Sequence, residues 1–311
     1  MRLVTYSLGP QGSARSAVRV GHRILDIEAA SRVQGEPLPS SMRALLAMGR
    51  GALARVQALA KAAQADARPF TAALHEEKAI RFLPPVPDPD KFLCVGKNYR
   101  AHLEELKKHD LIKEMPQEVT GFVKILSCLV GHDARVAKPA GVERLDYEPE
   151  LVFVIGKRAL GVKASDEDAM DYAMGVTVLN DLTDRDVQKR EVASGSRFWT
   201  SKNAPGFGPI GPEIVTMDEI PDPYDLWMVC TVNGKERMRV NTRDQIWKLP
   251  QILEHFSRTM PIEPGDMFST GAPGGVAVGK PDADSLYLQP GDVVECSIEG
   301  ITTLRTTIVA P

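Results

Sequence analysis

The chain has no C-x-x-C pair: Cys94, Cys128, Cys230 and Cys296 lie far apart in the sequence. Such spacing offers neither a zinc ribbon nor a disulfide framework, so reduced thiols are expected. No apolar run approaches the roughly 18 residues that a membrane span needs. The opening MRLVTYSLGPQGSARS has no apolar core behind a basic tip. The expectation is a soluble, cytoplasmic protein with no membrane partner. Charge of one sign is not concentrated either. With 38 basic and 41 acidic side chains and a formal net charge of -3, nothing recommends nucleic acid as a partner. Internal repeats and low-complexity tracts are lacking too, which excludes solenoids and arrays.

What is present is 311 residues, enough for one large domain or two of ordinary size. Residues 1 to about 30 alternate apolar and polar positions, as in SAVRVGHRILDI, and predict a small antiparallel sheet. The Ala- and Leu-rich stretch 40–65 predicts one or two amphipathic helices, with Ser40 or Ser41 as N-cap. PPVPDPD, residues 84–90, is a stiff connector. It divides the chain into a small α+β N-terminal domain, 1–83, and a larger domain, 91–311. Beyond it β signals dominate: KFLCVG, ELVFVIG, MGVTVLN, DMFSTG, DVVECSIEG, and a hairpin turning at Asn233-Gly234. A helix is expected from Ser165 to Gly175, and another around DQIWKLPQILEHFSRT, interrupted near Pro250. Many short strands with few helices predict a β-rich α+β fold and argue against a doubly wound nucleotide fold.

Two carboxylates stand out in LDYEPELVFVIGK. Glu148 and Glu150 precede an apolar strand, and side chains at i and i+2 share a face. Either Pro149 frays the strand and both acids face water, or they project together into a water-poor layer, where they need a partner. A second strand ends at Asn180-Asp181. Asp181 is either a turn or helix cap, or a third acid meeting the pair across the sheet. Three carboxylates without a cation repel one another. Hard oxygen ligands of this kind select Mg²⁺, Mn²⁺ or Ca²⁺ over zinc.

Cations follow. In LTDRDVQKRE, Arg185 and Gln188 share a face if the segment is helical. Lys202 follows Trp199 ahead of a Gly/Pro-rich loop. Each cation is either a solvated surface charge or part of a site. In VGKNYRAHLEEL, His102 and Glu105 stand at i and i+3, the arrangement of a carboxylate orienting an imidazole base; an exposed helix pair is the alternative. The glycine loop GAPGGVAVG lacks G-K-[ST] and is not a P-loop.

Taken in order, VGKNYRAH, FVK, DYEPELVFVIGK, NDLTDRDVQ, WTSKN, GP and STGAPGGV resemble the fumarylacetoacetate hydrolase family in its bacterial form, with acylpyruvate hydrolases and 2-hydroxyhepta-2,4-diene-1,7-dioate isomerases among its members. The resemblance is strong over about 90–310 and weak before. It implies a mixed β-roll, commonly dimeric. Glu148, Glu150 and Asp181 fall on metal-ligand positions. His102 and Glu105 fall on the catalytic dyad, Lys202 on an oxyanion position, and Tyr99, Arg185, Gln188 and Thr270 on substrate positions. Two departures bear on substrate preference: Ala272 replaces the second Thr of T-G-T-P, and no proline follows Lys124.

The activity so implied is divalent-metal-dependent hydrolysis of a C–C bond in an acylpyruvate, a fumarylpyruvate-like 2,4-dioxo acid, to pyruvate and a carboxylic acid in aromatic catabolism. Mg²⁺ is the expected cofactor, with Mn²⁺ or Ca²⁺ as alternatives, and a homodimer the expected assembly. Oxaloacetate decarboxylation and hydration or isomerisation of a 2-oxo acid share the enolate. A catalytically silent, metal-stabilised scaffold is the alternative from a different class. Residues 102 to about 117, rich in charge, are expected to form a lid.

Overall fold

The computed structural model describes residues 1–101, 103–104, 117–196 and 198–311. Alternating apolar positions near the start give the strands Arg2–Ser7, Arg15–Val20 and Arg23–Asp26, paired as an antiparallel meander. Arg2–Ser7 then pairs with Gly208–Thr216, so the N-terminal strands continue the main sheet. Within the 84–90 stretch, Pro85 O accepts from Thr5 Oγ1 at 2.5 Å and Val86 is buried.

From Gly208–Thr216 the main sheet runs through Ala173–Asn180, Pro149–Ile155, Met267–Ser269 and Phe92–Gly96 to Thr120–Val123. A second sheet of five strands orders as Lys235–Asn241, Trp227–Val232, Val293–Ile298, Thr302–Val309 and Ala134–Ala137. The expected hairpin at Asn233-Gly234 joins its first two strands.

The Pro149–Ile155 strand is buried at every residue. Its Leu151, Phe153 and Ile155 pack with Met228, Cys230 and Ile298 of the second sheet. Val152 and Val154 point the other way, into a cluster with Leu45, Leu53 and Val56 of the helices Met42–Ala47 and Arg50–Ala65. A strand covered on both faces needs a continuous apolar run, which LVFVI supplies. Burying a side chain such as Phe153 contributes about 1.5–3 kcal/mol, so the strand is a fixed base for whatever its ends carry.

Ser41 caps the first of those helices, its side chain accepting from Ala44 N. Two expectations are corrected. Residues 165–175 form only a short 3-10 turn, Ala169–Tyr172, before the strand Ala173–Asn180 begins; pairing with two sheet neighbours outweighs the local helix signal. Pro250 does not interrupt a helix but lies in the first turn of Leu249–Ser257, where no backbone N–H is needed. Among the described residues no helix is long and apolar enough to cross a membrane.

Candidate metal and substrate site

Antiparallel pairing places Pro149 opposite Asn180, which brings the residues flanking them, Glu148 and Asp181, side by side. Asp181 N donates to Glu148 O at 2.8 Å, and Glu148 N donates to Asn180 Oδ1 at 3.0 Å. Glu150 shares the face of Glu148 by the two-residue period. One carboxylate oxygen from each of Glu148, Glu150 and Asp181 lies within 4.8 Å of the others, and all three residues are buried. The same period continues backward to Asp146, in the two-residue strand Leu145–Asp146.

Three buried cations face these acids. Lys202 Nζ donates to Glu148 Oε2, and to Asp181 Oδ2 at 2.5 Å. Lys124 Nζ donates to Asp181 Oδ1 at 2.6 Å, to Phe207 O at 2.9 Å and to the backbone oxygen of Lys202. Arg185 lies 2.6 Å from Glu148 Oε1 and 2.7 Å from Asp146 Oδ2. Burial alone would lower Lys202, but Asp181 and Glu148 outweigh it and hold the ammonium pKa above its ordinary value. Arg185 behaves likewise, burial being outweighed by Asp146 and Glu148.

Glu150 is different. Its Oε2 accepts from Ser269 Oγ, and from Gly271 N at 3.2 Å, with no basic side chain in ion-pair distance among the described residues. Burial first, and Asp181 second, push its pKa well above the carboxylate range. Gly271 has φ +89, and a Cβ there would meet Val95 O at 2.6 Å, so only glycine brings this N–H to Glu150.

Among the described residues four carboxylates face three cations, so with every acid ionised the group carries one negative charge in excess. One divalent ion would convert this to a single positive charge, suited to an anionic ligand. Three buried oxygen donors at this separation fit a hard divalent cation held by Glu148, Glu150 and Asp181.

Of the remaining expected residues, Tyr99, Gln188 and Thr270 lie beside this centre. The segment is helical, Arg185–Ala193 capped by Asp184, so the condition for a shared face is met, and Arg185 Nη1 donates to Gln188 Oε1 at 2.9 Å. Gln188 thus steadies the guanidinium. Tyr99 OH lies 3.4 Å from Thr270 Oγ1 and accepts from Gln245 Nε2 at 2.9 Å. Thr270 donates to Leu151 O at 3.0 Å, one residue beyond Glu150. His102, Glu105 and most of the expected lid lie outside the described residues.

Sequence reasoning missed the parts played by Lys124, Asp146, Asn180 and Ser269. Asp146 holds Arg185 and accepts from Ala277 N at 2.9 Å and Val278 N at 3.0 Å. Extending the two-residue period one step back from Glu148 finds it. For the other three, only the tertiary pairing supplies the signal.

Residues 91–309 match the fumarylacetoacetate (FAA) hydrolase C-terminal family. The chain belongs to this family. The family segment contains all the acids and cations described above, and proteins of the fumarylacetoacetate hydrolase family are enzymes. A curated relative, the mitochondrial oxaloacetate tautomerase fahd2 of Xenopus laevis, is 32% identical over 311 residues, covering 99% of this chain and 90% of the relative. Among solved structures, the fumarylacetoacetate hydrolase of psychrophilic Exiguobacterium antarcticum superimposes with TM-score 0.76 at 30% identity, covering 100% of both chains. A maleylpyruvate hydrolase from Sphingobium sp. SYK-6, in complex with manganese(II) and pyruvate, gives TM-score 0.73 at 28% identity, covering 100% of this chain and 99% of that one. The fold is therefore the sheet-rich α+β fold of the fumarylacetoacetate hydrolase family, and the buried Glu-Glu-Asp group is its candidate divalent-metal site.

Proposed function

We propose that the chain is a divalent-metal-dependent enzyme of small 2-oxo acids that hydrolyses the C–C bond of a fumarylpyruvate-like acylpyruvate, giving pyruvate and a carboxylic acid, as in aromatic catabolism. The observation that carries this reading is Lys202. A buried ammonium spends two of its three protons on Glu148 and Asp181, and among the described residues the third, at the metal-ligand candidates, has no acceptor and can serve an oxygen that becomes negative.

Glu148, Glu150 and Asp181 would hold the ion, Mg²⁺ or Mn²⁺ in this reading. When bound, the ion supplies Lewis acidity to the 2-oxo acid. Lys202 would keep its proton and donate a hydrogen bond from it to the distal carbonyl oxygen, stabilising the oxyanion that forms there as water adds. His102, oriented by Glu105, takes the proton that the water loses. The C–C bond then breaks, its electron pair passes into the pyruvate half as an enolate, and a proton returns to that carbon. Lys124 and Arg185 keep Asp181, Glu148 and Asp146 paired throughout. A silent scaffold would need the acids but not Lys202, whose third proton has no acceptor among the described residues. The same reading takes the assembly to be a cytoplasmic homodimer, which light scattering tests.

A second reading is favoured by the full-length match to an oxaloacetate tautomerase. Tautomerisation moves one proton on the 2-oxo acid and needs no attacking water. The two are separated by assaying Mg²⁺- and Mn²⁺-loaded protein against acetylpyruvate, fumarylpyruvate, oxaloacetate and a 2-oxo-pentenoate. The first reading expects one pyruvate released per acylpyruvate consumed. Absence of pyruvate release, with accelerated enol–keto exchange of oxaloacetate, would put the second in its place.

Lys202→Met is expected to lower turnover on the best substrate by on the order of 10²–10³, the usual loss of one such donor. Calorimetric affinity for Mn²⁺ should not fall, because removing a cation from beside the acids favours another one. A wild-type rate would show Lys202 to be a bystander.

A further inference from the structure

We propose that Phe122 and Phe198 are positioning residues for Lys202: their ring faces hold its ammonium group and leave its third proton to a substrate oxygen. This rests on the reading above, in which Lys202 donates to the reacting oxygen.

Lys202 Nζ stands 5.5 Å from the centroid of the Phe122 ring and 5.9 Å from that of Phe198. The two rings meet edge to face, with centroids 5.3 Å apart and planes at 81°. Both distances fall within the range in which an aromatic face attracts a cation. Among the described residues, the third ammonium proton has no oxygen or nitrogen acceptor. The chemistry of the wall explains why this can persist in a buried site. A polar wall would take the proton into a hydrogen bond. An aliphatic wall would offer that side of the ammonium no electrostatic attraction beyond Glu148 and Asp181. Aromatic faces attract the charge and take no strong hydrogen bond from it.

The backbone is held so as to present these rings. Phe198 has φ 51, a left-handed conformation that a bulky side chain rarely adopts and that surrounding contacts must enforce. Asn203 supplies them. Its Nδ2 donates to Phe198 O at 3.5 Å and to Val123 O at 3.2 Å, while its Oδ1 accepts from Ile125 N at 2.8 Å. One side chain thus ties the segment carrying Phe122 and Lys124 to the segment carrying Phe198 and Lys202. Glu191 anchors the second segment again, accepting from Thr200 N at 2.7 Å and Ser201 Oγ at 2.5 Å. None of these bonds uses the rings, whose faces stay turned to Lys202.

The test replaces Phe198, and separately Phe122, by phenylalanines carrying one, two and three ring fluorines, which weaken the face potential at nearly constant shape. Phe198→Leu, Phe198→Tyr and Phe198→Gly accompany them. Glycine takes φ 51 without steric strain, which offsets part of its entropic cost and of the lost ring contact. The expected result is a stepwise fall of kcat with fluorination, about tenfold for Phe198→Leu, with Tyr restoring most of it. KM for the 2-oxo acid and Mn²⁺ affinity should be little changed, and the loss in the fluorinated variants should appear with no drop in melting temperature. A kcat that is flat across the fluorinated series, while Lys202→Met loses turnover, would overturn the positioning role alone. If Lys202→Met also loses nothing, the reading of Lys202 falls and this proposal with it.

Discussion

Glu150→Gln is expected to leave the metal-free protein at least as stable as wild type while lowering Mn²⁺ affinity by on the order of 10² or more, with turnover lost alongside. Losing the charge of a direct ligand should cost at least as much as the upper end of what outer-shell changes cost. The first half follows from the absence, among the described residues, of a cation in ion-pair distance of Glu150. Its carboxylate is buried and pushed toward the neutral form by burial and by Asp181, so its charge is a cost of folding that no ion pair offsets. Glutamine keeps an oxygen to accept from Ser269 and Gly271 and removes that cost. Glu148 is a poorer probe. It pairs with both Lys202 and Arg185, and stripping a partner from buried cations costs about 3–5 kcal/mol, so Glu148→Gln should melt lower whatever its effect on metal. Melting curves in chelator and calorimetric titrations with Mn²⁺ check both halves. Mn²⁺ binding by Glu150→Gln as tight as wild type would remove Glu150 from the ligand set.

The second large effect separates the two readings of the chemistry. In the hydrolytic reading, where Glu105 is proposed to orient His102, Glu105→Ala should cut acylpyruvate hydrolysis by about 10²–10⁴, the range for a general base. Oxaloacetate tautomerisation and decarboxylation need no attacking water and should suffer less. Affinity for oxalate, a chelating 2-oxo acid mimic, should survive, since neither Glu105 nor His102 is among the acids that would hold the ion. Both reactions are measured side by side in wild type and variant. Equal, small losses in the two would show that the pair is not a hydrolytic base, and the tautomerase reading would then stand first.

The acid cluster was legible because it follows local rules. Glu148 and Glu150 are related by the strand period, and Asp181 sits at the end of a run whose apolar pattern declares a strand. Arg185 and Gln188 were legible through helical spacing, and the structure joins them at 2.9 Å. Lys124 was not, because a lysine in FVKILS looks like any solvated charge until Asp181, 57 residues away, is brought to it. Asn180 and Ser269 are ordinary strand residues in the sequence; only the register against Glu148 and Glu150 gives them their bonds. The helix expected at 165–175 failed for a related reason. Its capping pattern is local, whereas Ala173–Asn180 is claimed by Pro149–Ile155 on one side and Gly208–Thr216 on the other, and cross-strand packing outweighs a cap of about 1 kcal/mol.

The most direct test of the metal-centred 2-oxo acid site is anomalous diffraction from crystals grown with Mn²⁺ and oxalate. One strong peak per chain is predicted, bounded by carboxylate oxygens of Glu148, Glu150 and Asp181, with oxalate on the same ion and Lys202 Nζ within hydrogen-bond reach of an oxalate oxygen. Mn²⁺ found elsewhere, or none bound while Lys202 still fills the space between Glu148 and Asp181, would contradict it.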